Sequence, residues 1–263
     1  GCEVRYTENH PPAVIAANKE NLDIDVDAAF HSKGYKDFVN LSESLKSTYG
    51  YLSGDVNWGG VLNIAMDLRG DQIMTDMLLA PDKVKNYFNS IAAVIEKFTG
   101  FVASQTGSTS ISVNRSVRHL PSPVFLHSEC SHTMISCDDY QQFLMPVDVK
   151  WSREKENFGI HYCGEDPHRY AEYFGRLPKL DFLDLGWGGD VSYLRKFLPN
   201  TFFNIRLSPV ELVNMPLEEI RTTVTKLVSE SGNPALTGVC CINMDDNIRD
   251  EQIDALFDAV HNR

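Results

Sequence analysis

Three residues of this chain have the types and spacing for metal chemistry: His161, Cys163 and Cys240. The first two lie in Phe158-Gly-Ile-His-Tyr-Cys-Gly164, the third in Leu236-Thr-Gly-Val-Cys-Cys-Ile-Asn-Met-Asp245. Each run is short and apolar, ends in a turn, and precedes a helix signal. A β-strand opening onto a βα loop reads this way, and in a parallel α/β protein such ends gather on one face. One imidazole and two thiols converging there are zinc ligands, with a fourth coordination position left open. His161 and Cys163 are two apart and share a face of the strand. The adjacent Cys240 and Cys241 point opposite ways while the strand lasts, so only one of them can join the cluster. The competing reading is a set of ordinary core residues, cysteine being among the most buried types.

Other candidates are weighed in the same two-sided way. Glu129 and Asp184 stand at or near other strand ends, as a fourth ligand, a catalytic carboxylate or simply polar strand-end residues; Cys130 is an additional, weaker ligand candidate. Asn57 and Trp58 follow a strand pattern and would line a pocket, or form a tight turn and a packed indole. Arg206 would hold an anionic substrate group, or a buried acidic neighbour. The loop Gly186-Trp-Gly-Gly-Asp190 allows close approach of a ligand, or merely turns the chain. His119, His132 and His168 lack a partner pattern and read as surface or cap residues.

The elements that would position these residues alternate. Residues 1–34 read as irregular, within a lead-in reaching about residue 50. A helix pattern covers 35–48, a strand 51–56, and a long helix follows Pro81 with Val84, Tyr87, Phe88, Ile91, Val94, Ile95 and Phe98 on one stripe. Residues 104–118 read as a polar loop. Strands are then expected at 124–127, 158–162, 180–185, 201–207 and 236–240. Helices follow them, begun by Ser136, by Asp166-Pro167 and by Pro216; the last carries Ile253, Leu256, Phe257 and Val260. Six strands each followed by a helix fit successive βα units with right-handed crossovers. The closed form of that pattern is a TIM-type (β/α)8 barrel, here one domain over 1–263. The chain opens on Gly1-Cys-Glu-Val rather than Met, which is read as a truncated N-terminus lacking the first barrel strand or strands.

Bulk properties narrow the partners. A net charge of −12 without a basic cluster argues against nucleic acid and anionic membranes. No apolar run reaches the length of a membrane span, and six cysteines in 263 residues do not make a secreted disulfide scaffold. A reducing cytoplasm is the expected setting, with a homo-oligomer as one possible assembly.

The second half resembles the uroporphyrinogen decarboxylase superfamily of TIM barrels, and within it the zinc-dependent, corrinoid-linked methyltransferases of the methylcobalamin:coenzyme M type. Four segments carry the resemblance: His127-Ser-Glu-Cys through Met145-Pro146, Gly159-Ile-His-Tyr-Cys-Gly164, Asn204-Ile-Arg-Leu-Ser-Pro-Val-Glu-Leu212, and Cys240-Cys-Ile-Asn-Met-Asp245. The resemblance spans about 51–263, most clearly from residue 123. It implies His161, Cys163 and Cys240 as zinc ligands, with Cys241 where the family commonly has glycine. It also implies a small thiol activated on the metal and methylated from a corrinoid. The Asp-x-His-x-x-Gly signature of a corrinoid module is absent, Ala29 standing where His31-Ser-Lys-Gly34 would need aspartate, so the corrinoid is expected on a partner protein. Two alternatives stand beside this: a metal-free decarboxylase-like lyase acting on a tetrapyrrole, with Arg115, Arg118 and Arg206 as loose candidates for its arginines, and a non-catalytic corrinoid- or metal-binding family member.

Overall fold

The computed structural model describes residues 2–8, 10–52, 58–107, 120–242, 244 and 246–261. Two compact units emerge, residues 1–115 with 139–147, and residues 116–138 with 148–263.

The first unit begins not with irregular chain but with an antiparallel hairpin, β1 (Glu3–Thr7) and β2 (His10–Ile15). Both strands are largely solvent-exposed, so no apolar alternation marks them in the sequence. Helices α1 (Val26–Ala29), α2 (Lys33–Tyr49), α3 (Val61–Arg69), α4 (Gln72–Leu79) and α5 (Pro81–Thr106) follow. Local chemistry sets their ends. Ser32 accepts the Tyr35 amide at 3.3 Å to start α2, and Gly50, at φ +78°, stops it. Pro81 opens α5, whose expected stripe is buried at Val84, Tyr87, Phe88, Ile91 and Ile95. That helix reaches Thr106, so the expected loop over 104–118 starts later; its remainder from residue 108 lies outside the described residues. Most of the strand expected over 51–56 also lies outside them, and Tyr51 and Leu52 are not in a strand.

The second unit is α/β. Its sheet is wholly parallel and runs in chain order: β3 (Phe125–Ser128), β4 (Phe158–Tyr162), β5 (Phe182–Leu185), β6 (Phe202–Arg206) and β7 (Thr237–Cys240). These are the five later strands the sequence predicts. Buried Phe125, Phe158, Leu183, Leu185, Phe203 and Ile205 make one face of the sheet apolar, while the other carries Leu126 and Phe182 beside polar His161, Asp184 and Asn204.

The segment after β3 is a 3-10 turn (Cys130–Met134). It leads to α6 (Cys137–Asp139), a π turn (Tyr140–Leu144) and α7 (Met145–Glu154). After β4 comes a 3-10 turn (Pro167–Tyr170) and α8 (Ala171–Phe174). Asp166 does not cap it by side chain as expected; its carboxylate accepts the Tyr162 hydroxyl at 2.5 Å. Helix α9 (Val191–Phe197) follows β5, capped by Asp190 on the Tyr193 amide at 2.8 Å. Helices α10 (Pro209–Asn214) and α11 (Leu217–Glu230) follow β6, and α12 (Asp250–His261) follows β7. Leu212, Ile220, Val224, Ala255 and Leu256 form one core cluster, whereas Phe257 and Val260, expected on the apolar face of α12, are exposed. Among the described residues no helix is long and apolar enough to cross a membrane.

A candidate metal centre at the ends of the third to fifth strands

Register builds the site. His161 on β4 pairs with Asp184 on β5, which pairs with Asn204 on β6. In-register neighbours point to the same face, so an imidazole, a carboxylate and an amide form one row across the sheet. His161 Nδ1 hydrogen-bonds to Asp184 Oδ2. Asn204 donates to Asp184 Oδ1 at 2.9 Å and to the Cys240 sulfur at 3.2 Å. Asp184 is fully buried, and His161, Asn204 and Arg206 nearly so.

The other ring nitrogen, His161 Nε2, lies 3.2 Å from Cys163 Sγ. Cys130, at the start of the 3-10 turn after β3, completes the group: its sulfur, the Cys163 sulfur and a His161 ring nitrogen lie within 4.8 Å of one another. The sulfur grouped with His161 and Cys163 is thus that of Cys130, whereas the sequence pattern favoured Cys240 as the second sulfur ligand. β3 pairs directly with β4, Ser128 opposite His161, so Cys130 and Cys163 each stand two residues beyond a paired position. β7 lies three strands from β4. Cys240 instead reaches Asp184 through Asn204.

The electrostatics suit a sulfur–imidazole metal site. Burial opposes a charged His161, but Asp184 and Cys163 outweigh it and raise its pKa to about 9. The Cys130 thiol donating to Cys163, with His161 and Arg206 beside it, holds Cys163 well below the usual thiol range. Cys130 is raised by that same donation and by burial. Burial, with the Asp184 charge nearby, pushes Cys240 up to about 12. Metal-binding histidines characteristically hydrogen-bond a carboxylate through the second nitrogen, which fixes tautomer and ring orientation. The Asp184–His161 pair has that form, and the donor set suits zinc.

Arg206 takes the ion-pair alternative. Its Nε lies 3.6 Å from Asp184 Oδ1, Nη2 donates to the Tyr162 carbonyl at 2.6 Å, and Nη1 is 4.0 Å from Cys163 Sγ. Glu129 accepts the Ser131 amide at 3.1 Å and faces His127 Nε2 at 3.6 Å. His127 Nδ1 meets Asp148 at 2.7 Å, and all three side chains are sealed from water. Burial works against charge on His127, yet Asp148 and Glu129 raise it to about 9. His132, expected at the surface, is fully buried and stacked on Tyr162 at 5.9 Å, and burial lowers its pKa to about 4. Trp58 is buried in the first unit; Asn57, Arg115, Arg118 and His119 lie outside the described residues.

The loop after β5 rests directly on the Cys163 loop. A Cβ on Gly186 would stand 2.0 Å from the Gly164 carbonyl oxygen and 3.2 Å from that of Cys163. Beyond it, Trp187 joins Glu165, Leu207, Glu211 and Leu227 around a cleft of about 410 Å³. None of Cys130, His161 and Cys163 lines it.

No family model matches the chain, and no curated protein matches it. Among solved structures, a methyltransferase from Methanosarcina mazei superposes with a TM-score of 0.72 at 14% identity, over 100% of this chain and 75% of that one. At that identity the likeness speaks for the fold alone: an α/β chain built on a parallel sheet.

Proposed function

We propose that the protein is a zinc-dependent methyltransferase that activates a small thiol on the metal and methylates it from a corrinoid carried by a partner protein. The convergence of Cys130, His161 and Cys163, with Asp184 on the outer nitrogen of the imidazole, is the observation that carries this reading. The structural likeness to a Methanosarcina mazei methyltransferase and the superfamily resemblance of the sequence agree with it. The chain-order parallel sheet supports reading it as an arc of a (β/α)8 barrel, and the same reading takes the whole chain as one barrel domain of that superfamily.

His161 and Cys163 would hold the metal with one further sulfur, for which the geometry favours Cys130 and the sequence motif Cys240. Zinc bound by thiolates supplies Lewis acidity, which keeps a coordinated thiol deprotonated at neutral pH. The protein's own residues do the positioning. Asp184 fixes the His161 ring so that Nε2 faces the sulfurs, Asn204 holds Asp184, and Arg206 sets a fixed positive charge beside Cys163.

The test is zinc content per chain, followed by methylcobalamin-dependent methylation of small thiols. Wild-type protein is expected to hold about one zinc per chain, lost in Cys163→Ala and Cys130→Ala and kept in Cys240→Ala. Zinc lost only in Cys240→Ala would return the third position to that residue. No zinc in well-folded wild type would overturn the reading.

A further inference from the structure

We infer that Cys130 and Cys163 are also an oxidative modification site, closing to a disulfide when the metal is absent. The cross-link itself does not depend on zinc; the protection described below rests on the metal-binding reading above.

The two sulfurs lie within 4.8 Å of each other at the ends of neighbouring strands. Neither belongs to a rigid regular element: Cys130 opens a 3-10 turn and Cys163 stands just past the end of β4. A disulfide needs the sulfurs at about 2.05 Å, so a small movement of two turns brings them to bonding distance. Solvent reaches both residues, Cys163 being half-buried with His161 Nε2 at 3.2 Å from its sulfur.

The oxidant is a hydroperoxide, and the steps balance. The Cys163 sulfur, as thiolate, takes the terminal oxygen, the O–O bond breaks, and Cys163 becomes a sulfenic acid while the peroxide takes up a proton and leaves as an alcohol or water. The Cys130 thiol then attacks the Cys163 sulfur; the S–S bond forms, the S–OH bond breaks, and hydroxide leaves with the Cys130 proton as water. His161, with Nε2 at 3.2 Å from the Cys163 sulfur, is placed to supply the first proton. Two thiols are oxidised by two electrons and one peroxide is reduced. Zinc held by both sulfurs occupies the same lone pairs, so metal and disulfide exclude each other.

The experiment treats chelator-stripped full-length protein, and the same protein with zinc restored, with stoichiometric hydrogen peroxide. Intact mass and cysteine-linked peptides are then read. Stripped wild type is expected to lose about 2 Da with Cys130 and Cys163 joined, and zinc to slow this roughly tenfold or more. Cys130→Ser should abolish the link, and Cys241→Ser should keep it. A link joining any other pair, or accumulation of sulfinic acid on Cys163 without a link, overturns the inference. Zinc bound at full occupancy without protection overturns the exclusion of disulfide by metal. If no zinc binds yet the link forms, the metal reading falls and the modification site stands.

Discussion

Two strand ends in the second unit are built alike and differ in kind. At β3, His127 points Nδ1 at Asp148; at β4, His161 points Nδ1 at Asp184. In each, burial opposes the imidazolium, neighbouring acidic and hydrogen-bonding groups outweigh it, and the pKa rises to about 9. The difference lies on the other ring nitrogen. His127 meets the Glu129 carboxylate where no water reaches, so the ring is a closed ion-paired rivet. His161 meets a half-buried sulfur with an exposed second sulfur beside it, so its Nε2 faces groups able to take a metal. A histidine–carboxylate pair therefore does not by itself mark a functional site. What it presents on Nε2, and whether solvent can deliver a ligand there, decides.

Removing the sulfur side of that contrast has the largest expected effect. Cys163→Ala should lose essentially all bound zinc while melting within a few degrees of metal-free wild type; retention of stoichiometric zinc would erase the distinction between the two ends.

The rivet should reveal itself through pH. A histidine whose folded pKa is raised to about 9 from 6.5 contributes stability that is complete below pH 6.5 and lost as pH rises through about 9. His127→Gln should thus cost on the order of 3 kcal/mol at pH 6 and little at pH 10, read by chemical denaturation of metal-free protein at both values. His132, lowered to about 4, runs the other way: its contribution is present above pH 6.5 and lost as pH falls through about 4. An equal cost of His127→Gln at both pH values would mean that packing, not charge, holds the first end together.

Asp184→Asn keeps the shape of the second pair and removes its charge. Zinc affinity should fall by about 10- to 100-fold in a chelator competition, and an unchanged affinity would leave Asp184 with a merely structural role like that of Asp148. The smallest effect is expected from Cys241→Ser. Its side chain packs against the core cluster of α10, α11 and α12, so zinc affinity should stay within about twofold, with a stability cost of about 1 kcal/mol.

The sequence made five strands legible because each is an apolar run closed by a turn signal, and it singled out His161 and Cys163 because residues two apart on a strand must share a face. It did not show that Cys130 lies beside His161 and Cys163, for a reason of adjacency. A motif tells which residues stand at strand ends, whereas the distance between ends is set by strand order. The signal was nonetheless present: successive βα units make β3 and β4 neighbours, and Cys130 and Cys163 each fall within two residues of their strand's end. The carboxylates were found without their assignments. Glu129 and Asp184 look equivalent in the sequence, and only side-chain direction separates the partner of His127 from the partner of His161. The opening hairpin was invisible because exposed strands leave no hydrophobic rhythm.

The absent side chain of Gly186 has an optical consequence. With the backbone of Gly186 laid against the carbonyls of Gly164 and Cys163, the two loops must shift together. Trp187, the next residue, is half-buried, whereas Trp58 and Trp151 are sealed in their cores. Its indole is thus a built-in fluorophore one peptide bond from the moving part, and its emission should register the filling or oxidation of the sulfur centre without any label being attached.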